Sequence, residues 1–548
     1  MASTNGASVA QKAAGLVLIT LAAGQFLMTL DSSVMNVSIS QVAADIGTTI
    51  TGIQTAITLY TLVMASLMIT GGKIGSIIGR RRAFAIGLVI YGAGSLTTAL
   101  APSLTVLMIG WSFLEGIGAA LIMPAIVALV AGNFSPSKRS GAYGAIAAAG
   151  AIAVAVGPLL GGAVTTFASW RWVFVGEVAV VGLILLLCGK ITDAPVTGPR
   201  KPFDLPGAII SIIGLSLIVL GVLRSGEWGW ISPVPGQPTI LHASPVLWML
   251  LGGLLVLAAF LAHEAARVEH DKEPLVRPAL FANRQVVGGL LMFFFQFLAQ
   301  AGVFFTIPLF LSVVLELSAL QTGIRLLPLS AALLLSAILV PRVAPRARPR
   351  RVVRIGLLLM IAGTVVLIAG VRPSANASVV ALPMLLMGFG IGALASQLGA
   401  VTVSAVSEEE SPEVGGLQNT ATNLGASMGT ALAGAVLIAN LSSSILGGVA
   451  TDPKVSAELK KQAPVAIANN VSFVSDTQLT KALDRAGVPP EEADRIVAIN
   501  EDARVTALDA ALSTIALLEV VALALTGMVR RDPIVDTEAP QESIAAGR

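Results

Sequence analysis

The chain has 548 residues, 55% of them hydrophobic and only 12% charged, and a mean hydropathy of +0.85. Soluble domains carry roughly 25% charged residues, so a water-facing globular surface is excluded. The net charge is +3, and where the positive charges fall matters more than their sum. The single cysteine, Cys188, rules out an intramolecular disulfide and a thiolate metal site. His242, His263 and His270 fall in polar connecting segments, which argues against haem ligation between helices and against a redox metal cluster. Gly72-Lys73 and Gly189-Lys190 are each followed by Ile and lack the glycine spacing of a phosphate loop, so a nucleotide-driven pump has no support.

A helix needs about 20 apolar residues to cross the hydrocarbon core. That length predicts spans near 13–36, 51–71, 83–101, 105–132, 142–166, 172–190, 205–224, 245–263, 285–315, 322–341, 352–371, 378–405, 416–440 and 507–530. The first run follows a lone Lys12 and continues into a polar patch at Asp31, which reads as an uncleaved first helix rather than a signal peptide. The fold class expected is an all-α polytopic membrane protein with fourteen transmembrane helices.

Every second connection is basic: Arg80-Arg81-Arg82, Lys138-Arg139, the stretch from Lys190 to Lys201, the stretch from Arg342 to Arg354, and Arg530-Arg531. Lys and Arg in short loops mark the cytoplasmic side. Both termini are therefore expected in the cytoplasm, in a bacterial cytoplasmic (inner) membrane. The polar segment 441–506 is expected outside, as a solvated cap or as a lid over an exit path. Within it, Leu459-Lys460-Lys461 and Thr480-Lys481-Ala482-Leu483 read as short amphipathic helices.

The chain also repeats itself. Ser135-Pro136, then Gly157-Pro158-Leu159-Leu160-Gly161-Gly162, has a counterpart in Ser411-Pro412, then Gly425-Ala426-Ser427-Met428-Gly429-Thr430. Two six-helix bundles are expected, at 1–195 and 285–531. A helix pair is inserted at 196–284, and a tail follows at 532–548. Internal repeats around a midplane site are a common secondary-transporter plan.

Four stretches resemble the major facilitator superfamily, specifically its fourteen-helix drug:proton antiporters. Leu30-Asp31-Ser32-Ser33-Val34-Met35-Asn36-Val37 is similar to the family pattern LDxTIVNVA. Gly72-Lys73-Ile74-Gly75-Ser76-Ile77-Ile78-Gly79-Arg80-Arg81-Arg82 resembles GxLaDrxGrrr, with Ser76 at the usual Asp. Met108-Ile109-Gly110-Trp111-Ser112-Phe113-Leu114-Glu115-Gly116 resembles lxxxRxxqG, with Ser112 at the arginine and Glu115 at the glutamine. Gly157-Pro158-Leu159-Leu160-Gly161-Gly162, followed by Trp170-Arg171-Trp172, resembles the antiporter signature gxxxGPxxGG and its trailing aromatic pair.

The resemblance implies alternating access with the proton gradient as energy source, no bound cofactor, no metal and no catalytic residue. An ionised Asp deep in lipid costs on the order of 2.5–3.5 kcal/mol, so such a residue faces a cavity or a partner. Asp31 and Glu115 are the proton-coupling candidates. The alternatives are a structural Asp31 bonded to the fourth or fifth helix and a permanently protonated Glu115 serving as an amide substitute. The departure at Ser76 removes the family's latching ion pair, although a serine there can cap a helix. Gly72, Gly79, Arg80, Arg81, Gly157, Pro158, Gly161 and Gly162 are the conformational motif residues.

Cavity candidates are Gln25, Met28, Asn36, Tyr60 and Ser112 in the first half. In the second they are Phe295, Gln296, Gln300, Phe304, Gln397, Asn419 and Asn423. Methionine, aromatics and a few amides make an adaptable apolar pocket. Expected partners are an amphipathic small molecule, with a lipid or dedicated metabolite as the alternative cargo, protons and the bilayer. No nucleic-acid partner is expected, and the working unit is a monomer. Glu177 is expected to be solvated or paired with Arg171. Glu519 is expected to form a structural pair.

Overall fold

The computed structural model describes residues 2–134, 136–193, 203–234, 236–343, 347–372, 375–406, 411–457, 460 and 473–529. These residues are almost entirely helical, with no named strand among them. The spanning helices are α1 (Ala2–Asp45), α2 (Ile50–Ile78), α3 (Arg80–Ala99), α4 (Leu104–Val130), α5 (Pro136–Phe167), α6 (Arg171–Cys188), α7 (Leu205–Trp228) and α8 (Pro245–Glu269). They continue with α9 (Arg284–Val314), α10 (Ala319–Val343), α11 (Pro349–Gly370), α12 (Ala381–Val403), α13 (Ser411–Thr451) and α14 (Pro490–Leu525). Thirteen are long and apolar enough to cross a membrane, and α5 makes a fourteenth when its two segments, bent by 40°, are read as one span.

The bend in α5 has a local cause. Pro158 has no N–H to give and its ring crowds the carbonyl four residues back. That carbonyl belongs to Val154, where the first segment ends. Ser330 on α10 donates its hydroxyl to Val154 O at 3.1 Å, so the orphaned acceptor is satisfied from a neighbouring helix. Membrane helices tolerate proline when a neighbour re-pairs the freed group in this way.

The packing is two-fold. In the first half α1 pairs with α5, and α4 lies against both α2 and α3; in the second α9 pairs with α13, and α12 lies against both α10 and α11. Two crossed pairs, α2 with α13 and α5 with α10, join the halves. The inserted helices α7 and α8 pack on each other, and α7 rests on α13 and α2.

The polar segment 441–506 differs from expectation. Helix α13 runs on to Thr451 and α14 begins at Pro490, so both ends of the segment continue spanning helices. Between them a short cap helix, Asp476–Arg485, covers the predicted Thr480–Leu483 stretch and carries a capping box at Ser475. Arg504, fully buried on α14, pairs with Asp476 and donates to Val313 O and Val474 O, both at 3.1 Å. Glu316 accepts from Thr477 N at 3.0 Å and Thr477 Oγ1 at 2.7 Å. The cap is thus tied to the end of α9. Most of Leu459-Lys460-Lys461, the Arg530-Arg531 pair, the tail 532–548, and residues 194–201 and 344–346 of the two basic stretches lie outside the described residues. His263 sits on α8 rather than in a connection.

Candidate functional site

Because the helices alternate in direction, the bundle has a basic end, with Arg80–Arg82, and an opposite extension end, with the cap helix. The halves meet tightly toward the extension end. Gln54 on α2 donates its amide to Thr430 O and Ala431 O on α13 at 3.1 and 3.2 Å, and Ser427 reaches Thr58 O at 2.9 Å. Thr166 on α5 accepts from Leu320 N at 3.0 Å. Glycine is required where α5 and α10 touch: a Cβ at Gly323 would lie 2.1 Å from Pro158 O, and one at Gly162 would lie 2.5 Å from Ala319 O. Small residues let membrane helices approach this closely.

On the basic side of this seal lies a cavity of about 450 Å³ between the halves. It is lined from the first half by Gln25, Met28, Asn36, Tyr60 and Trp111, and from the second by Gln296, Gln300, Phe304, Asn419 and Asn423. None of its lining residues is charged. Several lining polar groups, Gln25, Asn36, Asn419 and Asn423 among them, remain partly exposed although they sit within the bundle. The side-chain carbonyl oxygens of Gln296 and Gln300 are buried there without a hydrogen-bond donor. A buried acceptor left unfilled costs about 1–3 kcal/mol, so both are primed for a donor on a guest.

Tyr60 and Trp111 form the wall between this cavity and the interior of the first half. Their rings stack at 5.1 Å and 7°. Behind them the indole N–H of Trp111 donates to both oxygens of Asp31, at 2.9 and 3.0 Å. Trp111 is presented by a π-helical stretch, Met108–Glu115, within α4. Such π segments often mark functional sites.

Asp31 is not alone. One carboxylate oxygen each of Asp31, Glu115 and Glu177 lies within 4.8 Å of the others, and all three residues are buried. Glu115 accepts from Thr98 Oγ1 at 3.2 Å; Glu177 accepts from Tyr91 at 3.3 Å and Ser95 at 3.1 Å. One oxygen of Glu115 and one of Glu177 have no hydrogen-bond donor, and the Tyr60 hydroxyl lies against Asp31. Two like charges at such a distance repel by roughly 3–4 kcal/mol at an effective dielectric of 20. The cluster therefore needs protons or a cation. Among the described residues it is the one group of three acidic side chains whose oxygens lie close enough together to share a metal ion. With Asp31 committed to the indole, Glu115 and Glu177 supply fewer oxygens than the six to eight a hard cation such as Ca²⁺ takes, and neutralisation by protons fits better.

The sequence profile described as Major Facilitator Superfamily matches residues 21–430. The chain belongs to this superfamily. It is a multi-pass membrane protein of a transporter family. It is 32% identical over 423 residues to the puromycin resistance protein pur8 of Streptomyces alboniger, covering 76% of this chain and 80% of that one. It is 25% identical over 529 residues to the tetracenomycin C resistance and export protein of Streptomyces glaucescens, covering 96% and 93%. Among solved structures, a bacterial homolog of the human lysosomal transporter Spinster superposes with a TM-score of 0.60 at 15% identity, over 95% of this chain and 99% of that one.

Within the superfamily fold several sequence expectations change place. Ser112 does not line the cavity; it is fully buried and donates to Ala56 O at 2.7 Å. Phe295 packs edge-on against Phe294 and the core, and Gln397 reaches only Ser396; neither is part of the cavity wall. Glu115 faces the carboxylate cluster, not the cavity. Glu177 is neither solvated nor paired with Arg171. Six residues apart on a helix do not share a face, and Arg171 instead pairs with Asp45 while stacking 4.4 Å from the Trp170 ring centroid. Glu519 accepts from Thr364 at 3.1 and 3.3 Å rather than forming an ion pair.

At the basic end Ser76 turns back to Lys73 O at 2.7 Å and caps nothing else. Asp193 takes over: its oxygens accept from Arg80 N and Arg81 N at 3.1 and 3.3 Å, next to Gly79, whose φ of +100° suits glycine. A carboxylate at a helix N-terminus also complements its dipole. Lys73 pairs with Glu273, in the connection after α8, at 2.8 Å. Arg80 and Arg81 donate to Ala128 O and Ile191 O. Gly72 faces Pro124 of α4 and Gly161 faces Val34 of α1. Gln54, Asp193, Trp111 and Arg504 were not singled out by sequence reasoning, because each acts through a partner many residues away.

Proposed function

We propose that this chain exports drugs or antibiotics from the cytoplasm across the bacterial cytoplasmic membrane, exchanging them for protons. The observation that carries the reading is the juxtaposition of an uncharged, amide-lined cavity with three buried carboxyls, separated by the Tyr60 and Trp111 rings. The names of the relatives, a puromycin resistance protein and a tetracenomycin C resistance and export protein, support the choice of cargo.

The basic loops support a cytoplasmic placement of that end and of both termini. The cavity then lies on the cytoplasmic side of the seal and is ready to be loaded. An amphipathic cation or amine donates to Gln296 and Gln300 and spreads its apolar part over Met28 and Phe304. Its charge, a ring's thickness from Asp31, stabilises the carboxylate and drives out a proton. Rocking of the halves then opens the extension end, where a proton returns to Asp31 and the cargo leaves. Each proton moved down the membrane potential supplies about 2.3 kcal/mol per 100 mV.

Proteoliposomes preloaded with puromycin test this. Efflux should accelerate when an inward proton gradient is imposed and fall to leak when an ionophore collapses it. Efflux indifferent to the gradient refutes proton exchange; no movement of puromycin, lincomycin or ethidium under any gradient points to a lipid or dedicated metabolite as cargo.

A further inference from the structure

The proton-exchange reading needs only Asp31, beside the cavity, and Glu115. Glu177 lies further back on α6, six residues from its first residue, which is about 9 Å from the extension end at 1.5 Å per residue. It is 2% exposed, and its nearest titratable neighbours are Asp31 from α1, Glu115 from α4 and Tyr91 from α3. No Lys, Arg or His forms an ion pair with any of the three carboxyls among the ion pairs described.

One further feature points to an exchangeable occupant. The Tyr60 hydroxyl, from a fourth helix, is buried against Asp31. One oxygen of Glu115 and one of Glu177 are unfilled, although Thr98, Ser95 and Tyr91 bond the other oxygen of each. A purely structural glutamate would have both oxygens satisfied.

Resting on the proton-exchange reading, we propose that Glu177 is a third proton-carrying residue, which shares protons with Glu115 and Asp31 and extends the store from the cavity wall toward the extension end. In each step a carboxylic O–H bond breaks on one member and an O–H bond forms on the carboxylate oxygen of the next. The separation of up to 4.8 Å is closed by one side-chain rotation or one water. The proton lost at Asp31 goes to water in the cavity.

The test is infrared titration of the purified full-length protein in lipid, following the absorption of protonated carboxylic acids as pH is raised. Wild type should lose this absorption in more than one step. Glu177→Gln should remove one step and displace the remainder, because the neighbours no longer share its charge. A titration identical to wild type overturns the proposal and needs no transported substrate to do so. In everted vesicles, E177Q should lower gradient-driven puromycin accumulation at least tenfold while puromycin-for-puromycin exchange continues. If Asp31→Asn and Glu115→Gln stop accumulation but E177Q does not, this inference fails and the proton-exchange reading survives. If all three leave gradient-driven accumulation intact, the underlying reading fails. Should E177Q not insert, Ser95→Ala with Tyr91→Phe keeps the carboxyl, strips its donors and should shift the same step; no shift overturns the proposal.

Discussion

The two halves of the molecule share one packing plan and differ in what they bury. Between its third and sixth helices each half places a glutamate against hydroxyl donors: Glu177 against Tyr91 and Ser95, and Glu519 against Thr364. In the first half that glutamate meets Asp31 and Glu115. In the second Glu519 belongs to no such group among the described residues. The second half brings instead the phenylalanines Phe293, Phe297 and Phe304 and the unfilled amides Gln296 and Gln300 to the cavity. The fold is thus symmetric and the chemistry is not. One half buries a cluster of carboxyls and the other presents apolar rings and amides to the cavity; under the proposed function the first handles protons and the second adapts to the guest.

Removing the first-half chemistry should do the most damage. Asp31→Asn keeps the shape and the indole contact but removes the charge, and should cut gradient-driven export by at least a hundredfold in proteoliposomes while puromycin binding changes less than tenfold. Near-normal export by D31N would end the claimed asymmetry. Trp111→Phe keeps the wall ring and deletes the N–H to Asp31. A hydrogen bond to a charged group contributes about 1.5–3 kcal/mol, so transport should fall roughly ten- to a hundredfold and its pH optimum should move. A W111F protein with an unaltered pH profile would make the indole a packing residue only.

The matching change in the other half should do little. Glu519→Gln retains the Thr364 contact, and export should stay within about threefold of wild type. A loss as large as that of D31N would place proton handling in both halves. The smallest effect should come from the cap. Asp452, just past the end of α13, is held below the ordinary aspartate range by the Lys454 backbone N–H and by Arg495. A group depressed in the folded state contributes stability above its unfolded pKa of about 3.9 and loses that contribution as pH falls through the lower folded value. Protease sensitivity of the extension should therefore be flat from pH 8 to 5 and rise only below about 4. Asp452→Asn should raise it modestly at neutral pH and leave it unchanged at the acid end.

Much of this architecture was legible in the sequence because it is written locally. Apolar run length gives the spans, alternating basic loops mark one end of the bundle, and glycine with Pro158 gives the α5 contact surface. The amide residues Gln25, Asn36, Gln296, Gln300, Asn419 and Asn423 come together because polar groups within apolar helices turn away from lipid, and Met28, Tyr60 and Phe304 share their faces. What escaped was pairing across helices. A π turn re-aims Trp111 and buries Ser112, and neither its existence nor its register is encoded in hydropathy. Sequence proximity suggests a Glu177 that is solvated or paired with Arg171, yet helix geometry sends the two to different faces and packing buries Glu177. Asp193 replaces the capping role lost at Ser76 from a residue more than a hundred positions away.

The measurement that bears most directly on the division of labour is substrate-induced proton release. Everted vesicles containing wild type, D31N or Glu115→Gln would be given an acid interior, and external pH would be followed as puromycin or a cationic dye is added. The account predicts that dye addition dissipates the gradient through the wild-type protein and not through E115Q, although E115Q still binds the dye. Dissipation by E115Q equal to wild type would contradict it, and equal dissipation by D31N as well would remove both carboxyls from the transport cycle.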